Sequence, residues 1–358
     1  MVATSIIAEL CIYILTWNVG THYPEDVNLT DMLALNGTSS CPGEDKRPDL
    51  YILGFQEVNV KPKNQFLNIF QDNQWTLKVR EYLSDHDYVK VETAQLQGIL
   101  INVWSLGKHI NNINNIESET TKVGLGGLWG NKGAASVRMS LYGSGVTFVN
   151  SHLAAHDEHL KERVIDYNQI LDNHHYKVRN YRTIFDHDYV FWFGDLNFRL
   201  NGHDTPEEVK AEVELDHLDD LFTRDQLQMV REAGNAFSLL TEEKPTFRPT
   251  FKYVEGTSDY DLKRRPAWCD RILYRVEENK YPDIKLELQQ LSYKSHPQYT
   301  LSDHKPVTAE FLLAIKAEHQ TSEDIYEMTH GGAGGRSTET PLSSVIIIFC
   351  ISLYRTIF

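Results

Sequence analysis

Short apolar runs recur along the chain and are separated by polar stretches. "IIAELCIYILTWN" (6–18) reads as a buried first strand. "LYILGFQE" (50–57), "GILINVW" (98–104), "AASVRMSL" (134–141), "GVTFVNSHL" (145–153), "DYVFWFGD" (188–195) and "RILYRV" (271–276) are rich in β-branched or aromatic residues and predict further strands. "IKLELQQLSY" (284–293) alternates as a half-exposed antiparallel strand does, and "PVTAEFLLAI" (306–315) follows it. Between strands, "DEHLKERVIDYNQILDN" (157–173) sets Leu160, Val164, Tyr167 and Leu171 on one helical stripe. "TPEEVKAEV" (205–213) opens a helix with a Thr cap, a Pro and early acids. Many strands with helices outside them predict an α/β fold of four layers, α-β-β-α: two facing mixed or antiparallel sheets flanked by helices.

The pattern stops near Lys316. Residues 317–344 are polar, contain "HGGAGGRSTETP" and read as a flexible linker. The apolar stretch Val345–Leu353 inside the tail (345–358) is well short of the roughly 20 residues of a membrane helix. It is a weak anchor, a partner-binding segment or the remnant of a truncated gene. The catalytic unit is therefore expected over residues 1–316.

Composition narrows the class. The chain of 358 residues is 41% hydrophobic and 24% charged, as in a soluble globular protein. Its net charge of −15 excludes a broad duplex-DNA binder, while a small anionic ligand can still meet a local basic pocket. The cysteines Cys11, Cys41, Cys269 and Cys350 form no close pair, which argues against zinc and against a disulfide scaffold. Peripheral membrane association from a reducing, cytoplasmic compartment is the expectation, and no signal peptide is evident. In such a compartment the glycosylation patterns Asn28-Leu-Thr and Asn36-Gly-Thr are chance matches.

Five polar clusters lie at the ends of apolar runs: "TWNVG" (16–20), "GFQEV" (54–58), "SHLAAH" (151–156), "FGDLN" (193–197) and "LSDHKPV" (301–307). "GDLN" alone reads as readily as a turn. On a strand end, Asp195 and Asn197 share a face. Gathered together, the clusters bring Asn18, Glu57, His152, Asp195, Asn197, Asp303 and His304 to one cavity. Carboxylates and amides without thiols suit a hard ion such as Mg²⁺, and the histidines suit a phosphoryl group.

With "FGDLNFR", "RPAWCDRIL" (265–273), "GLGGLWGNKGA" (124–134), "PTFKY" (249–253) and "SDHKPV" in this order, the chain resembles the inositol polyphosphate 5-phosphatases of the endonuclease/exonuclease/phosphatase superfamily over residues 8–316. It is most similar to the branch whose catalytic domain precedes a small membrane-targeting β-domain, in whose place the linker and tail stand. The resemblance implies Mg²⁺ on Asn18 and Glu57, with Asp195 as general base and Asn197 holding water and a phosphoryl oxygen. It also implies phosphate contacts from His152 and His304, and Asp270 orienting His304. The bland reading of Asp270 is a partner for Arg271. Asp303 is expected at the ring edge near the water or His152, and His156 and His159 at the surface.

The same resemblance implies a substrate site of Asn131, Lys132, Phe251, Lys252, Lys263 and Arg264, with Phe251, Lys252 and Arg264 at the ring 4-phosphate. The family's lysine four residues before Pro266 is Leu262 here, and Lys263 is expected to reach over. The family's membrane-contact loop corresponds to "SLGKHINNINNIESET" (105–120), where asparagines leave Lys108 as the one surface contact. The implied activity is metal-assisted hydrolysis of a 5-phosphate, with phosphatidylinositol 4,5-bisphosphate as the best substrate and no covalent intermediate. Phosphoinositide lipids or soluble inositol phosphates, a transient membrane contact, no nucleic acid and a monomeric state complete the expectation. The rivals are a nuclease of the superfamily and a silent lipid-binding scaffold.

Overall fold

The computed structural model describes residues 6–59, 72–124, 131–281 and 285–317. Strands β1 (Ile6–Asn18), β2 (Leu50–Gln56), β3 (Tyr88–Leu96), β4 (Ile99–Leu106), β10 (Glu287–Ser295) and β11 (Val307–Ala317) form one sheet in the order β10-β11-β1-β2-β4-β3. Strands β5 (Ile113–Lys122), β6 (Gly133–Leu141), β7 (Ser144–His152), β8 (Tyr189–Asp195) and β9 (Asp270–Val276) form the second in chain order. Both sheets are mixed: β1 with β2 and β7 with β8 are parallel, and all other pairs are antiparallel.

The parallel pairs fix where polar side chains gather. Parallel neighbours finish at the same end, so β1 and β2 deliver Asn18 and Gln56 side by side, and β7 and β8 deliver His152 opposite Asp195. Antiparallel β9 then starts where β8 stops and sets Asp270 opposite Asp195. His152, Asp195 and Asp270 thus form one row across three strands.

The sheets pack face to face. Phe148, Phe191, Phe311 and Tyr274 make a chain of ring contacts at 5.1–5.5 Å between them. Gln56 Nε2 of one sheet donates to Asn150 Oδ1 of the other at 2.6 Å, so this buried amide pair is satisfied. Gly54 marks a close approach of the two sheets: a Cβ there would lie 2.4 Å from Phe193 and 2.9 Å from Asn150.

Helices cover the outer faces. Helix α1 (Gln74–Leu83), capped by Asn73, buries Trp75, Val79 and Leu83 against the first sheet. Helix α2 (Leu160–Asn173) lies on the second sheet, but the stripe is not the one expected: Arg163, Asp166, Tyr167 and Ile170 are buried, and Leu160, Val164 and Leu171 only flank them. Arg163 and Asp166 turn inward because they have buried work. Arg163 donates to the carbonyls of Ala154 and His156, and Asp166 accepts from the Ala154 N–H. Helix α3 (Pro206–Glu214) starts as expected, with a reciprocal Thr205–Glu208 capping box. Helices α4 (Leu218–Phe222) and α5 (Gln226–Glu232) complete the coat.

Two strands escaped the sequence pattern. β3 has no clean alternation, and β5, "INNIESETTK", is a polar edge strand. The stretch expected to be a membrane-contact loop is therefore largely β5 and the short turn before it. Lys108 of that turn pairs with Asp49 at 3.1 Å, just before β2, whereas Glu57 follows the other end of β2. The strand spans roughly 20 Å, so Lys108 lies at the end of the sandwich away from the cavity. The cysteine expectation is also corrected. Cys11 and Cys41 are joined by a disulfide across a sequence separation of 30, because the β1–β2 crossover folds back onto the middle of β1. Cys269 is free and buried. β11 runs one residue into the expected linker, whose remainder and tail lie outside the described residues.

Candidate active site

Asp195 is the centre of the cavity, ending β8 and 1% exposed. One of its oxygens, Oδ2, is 3.0 Å from Asn18 Nδ2, 3.2 Å from His152 Nε2 and 3.8 Å from His304 Nε2. Burial opposes its ionisation, but His304, His152 and Lys132 hold the carboxyl well below the usual carboxylate range. Gly194 before it takes a φ of +140°, and a Cβ there would lie 1.9 Å from the Ser151 carbonyl oxygen. Only glycine lets β8 finish this close to β7.

Asn197 does not share the face of Asp195 by strand alternation. Its φ is +58°, so the chain has already turned, and its N–H donates to Asp195 Oδ1 at 3.1 Å. Its Nδ2 donates to the Leu153 carbonyl at 3.1 Å, and its Oδ1 accepts from Arg199 Nη2 at 2.6 Å. Arg199, to which the sequence reading gave no role, is buried and lies 4.4 Å over the Phe251 ring. Its signal was a lone arginine inside an otherwise apolar run after "GDLN".

The two histidines differ in charge. His304 Nδ1 is 3.0 Å from Asp270 Oδ2, and its ring lies 4.5 Å from that of Phe251. Burial lowers its affinity for a proton, but Asp270 and Asp195 outweigh burial and lift it to about 9. Asp270 is itself pushed up by burial, while His304 and the Thr250 hydroxyl, at 2.6 Å, pull it down. Its bland reading fails, because Arg271 is held by Asp225 and Glu242. His152 is lowered by burial and by Lys132, whose Nζ lies 2.5 Å from His152 Nε2. At neutral pH the site thus holds a neutral His152 and a protonated His304, and burial lowers the Lys132 ammonium as well, against the pull of Asp195 and Glu57.

Glu57 follows β2 with a φ of +56°, and its Oε1 accepts from Asn18 Nδ2 at 3.1 Å. Asn18 and Glu57 border Asp195, and these three residues offer hard oxygen donors and no thiol, which fits Mg²⁺ or Ca²⁺ chemistry. Asp195, Asp270 and His304 also bring ligand atoms within 4.8 Å of one another. A protonated His304 bonded to Asp270 has no lone pair to offer a metal, so Glu57 and Asn18 are the better holders.

On the expected substrate side, Lys252 Nζ lies 2.5 Å from Asp303 Oδ2 and 5.5 Å over the Phe251 ring. Asp303 therefore faces Lys252 rather than His152. Arg264 Nη2 is 3.1 Å from His156 Nδ1, a contact not foreseen for an exposed histidine. Lys263 does not reach over: its side chain is 85% exposed and 3.8 Å from Asp261. Leu262 packs against the apolar cluster of Leu200, Val209 and Trp268 instead of facing the cavity. Asn131 is exposed in the turn before β6, and residues 125–130 of the glycine-rich loop lie outside the described residues.

The family model that describes endonuclease/exonuclease/phosphatase family 2 matches residues 15–310. Among curated relatives, human phosphatidylinositol 4,5-bisphosphate 5-phosphatase A is 36% identical over 84% of this chain and 30% of its own length. Mouse inositol polyphosphate 5-phosphatase K is 32% identical over 86% of this chain and 66% of its own. The chain thus spans about a third of the first relative. Among solved structures, the inositol polyphosphate 5-phosphatase domain of SPsynaptojanin, in complex with inositol (1,4)-bisphosphate and a calcium ion, superposes with a TM-score of 0.72. It is 31% identical, with 88% of each chain covered.

Proposed function

Since the chain belongs to endonuclease/exonuclease/phosphatase family 2, in its inositol polyphosphate 5-phosphatase branch, we propose that it hydrolyses the 5-phosphate of phosphoinositides or inositol phosphates. The preferred substrate in this reading is phosphatidylinositol 4,5-bisphosphate, and the metal is Mg²⁺. The observation that carries it is the convergence of Asn18, His152 and His304 on one oxygen of Asp195.

Water attacks phosphorus in line with the departing ring oxygen, and the P–O bond to the ring breaks. Asp195 takes a proton from the water, the ring oxygen takes one from solvent as it leaves as an alcohol, and Asp195 returns its own to solvent to complete the cycle. An aspartate held so far below the usual range is a poor base for free water. It accepts the proton only once the phosphoryl group draws electrons from the attacking oxygen. His304, charged at neutral pH, supplies positive charge where the phosphoryl oxygens gather it, and Lys132 donates hydrogen bonds to them. Asp270 keeps the His304 ring oriented and charged. A divalent ion on Glu57 and Asn18 supplies further charge neutralisation when bound.

Lys252 supports selection of a 4-phosphate, since a dianionic phosphate binds an ammonium more strongly than the Asp303 carboxylate does. The protein works as a monomer with transient membrane contact. Val254, 44% exposed and two residues after Lys252, supports that contact better than Lys108 does.

Phosphate release from inositol 1,4,5-trisphosphate and from inositol 1,4-bisphosphate, run beside plasmid nicking, tests the reading. Release from the trisphosphate alone is expected. Nicking without release points to the nuclease, and neither activity points to the scaffold.

A further inference from the structure

The β1–β2 crossover carries two features that the proposed catalysis does not use. One is the Cys11–Cys41 disulfide. Both cysteines are buried, at 2% and 3% exposure, and the Cys41 end is built into the sheet. There the Ser39 hydroxyl and the Ser40 N–H donate to the Glu310 carboxylate of β11. Bonds of this kind persist in oxidising compartments.

The other feature is the pair of glycosylation patterns. Asn28-Leu29-Thr30 and Asn36-Gly37-Thr38 are the two places in the whole sequence that match the acceptor pattern, and both fall inside the span that the disulfide closes. The segment turns Leu29, Met32 and Leu33 into the core and leaves both asparagines exposed. Asn28 Oδ1 accepts from the Thr30 N–H at 2.9 Å, and Asn36 Oδ1 accepts from the Thr38 hydroxyl at 2.6 Å. Asn36 Nδ2 donates to Asp31 Oδ1 at 2.8 Å, using one of its two hydrogens, so a sugar on that nitrogen leaves this bond in place. The cytoplasmic expectation rested on unpaired cysteines, and the disulfide removes that basis.

We propose that Asn28 and Asn36 carry N-linked glycans, and that the chain matures in an oxidising compartment where Cys11 and Cys41 close the loop bearing them. In closing it, the two thiols give up two protons and two electrons to the disulfide of an oxidoreductase, which becomes a dithiol. In glycan transfer, the asparagine Nδ2 bonds to C1 of an N-acetylglucosamine at the head of an oligosaccharide carried on a lipid diphosphate. The C1–O bond breaks, the lipid diphosphate leaves, and the amide loses one proton to the transferase.

The test uses the protein isolated from the cells that express it. Free thiols are alkylated first, peptide-N-glycosidase F is applied in heavy-oxygen water, and peptides are read by mass spectrometry before and after reduction. The expected result is heavy-oxygen aspartate at positions 28 and 36, with Cys11 and Cys41 linked to each other until reduced. Each asparagine stands or falls by its own peptide. Recovery of both as unmodified asparagine, or of Cys11 or Cys41 alkylated before reduction, overturns the proposal.

Discussion

Asp195 combines full burial with a carboxylate held far below its usual range, and that combination defines what its replacement does. Asp195→Asn keeps shape and hydrogen bonding to Asn18 but cannot take a proton. A loss of at least about a hundredfold in kcat is expected for a lost general base. Steady-state phosphate release checks it, and a variant above a tenth of wild-type rate would falsify the assignment. His304 supplies the pH dependence. Its value of about 9 lies above the ordinary histidine value, so the charged form persists through neutral pH and is lost as pH rises through about 9. Asp270→Asn removes one of the charges that hold it there, and the alkaline limb of kcat/KM should move to lower pH. An unmoved limb would reduce Asp270 to a packing role. For Lys252→Ala, a charge-assisted phosphate contact of about 1.5–3 kcal/mol predicts roughly ten- to a hundredfold more loss on a 4,5-bisphosphate than on a substrate with the 5-phosphate alone. Comparable losses on the two head groups would move Lys252 away from the 4-phosphate. Asp195, Glu57 and Asn18 were legible in the sequence because each closes an apolar run. The Lys252–Asp303 pair and the Arg199–Phe251 stack were not, since they join residues brought together only by tertiary folding.

Strands carry the site, and their ends matter more than their middles. Nine of the eleven strands among the described residues could be read from apolar runs. β3 and β5 could not, because an edge strand needs little apolar surface and a bulge breaks the alternation of each. The helix stripe on α2 misled for a related reason: Arg163 and Asp166 are inward for hydrogen bonding, which hydrophobicity does not record. Gly54→Ala tests the inter-sheet contact. Its Cβ would overlap Phe193 and Asn150, and overpacking of this kind costs about 1–3 kcal/mol. The urea midpoint should fall with little change in slope, and an unchanged midpoint would mean that the sheets part without cost.

The cavity and the disulfide lie apart along β1, Asn18 closing the strand and Cys11 sitting earlier in it, and removing the metal or the disulfide should separate their contributions. Chelation by EDTA should silence phosphate release, and Glu57→Gln should raise the Mg²⁺ concentration needed to restore it. Full activity in chelator would remove the metal from the mechanism. Cys41→Ser should instead lower the unfolding free energy by on the order of 2–4 kcal/mol while leaving kcat nearly intact at low temperature. A large loss of kcat with unchanged stability would contradict that separation. The row of His152, Asp195 and Asp270 across β7, β8 and β9 has a consequence for refolding. A slip of one residue in β8 turns Asp195 to the other face and offers Gly194 or Leu196 to the cavity. Circular dichroism counts sheet in any register, whereas turnover counts only chains that have found this one. Phosphate release recovered from denaturant is therefore a census of correctly aligned molecules, and the gap between the two signals measures the fraction stranded in misaligned sheets.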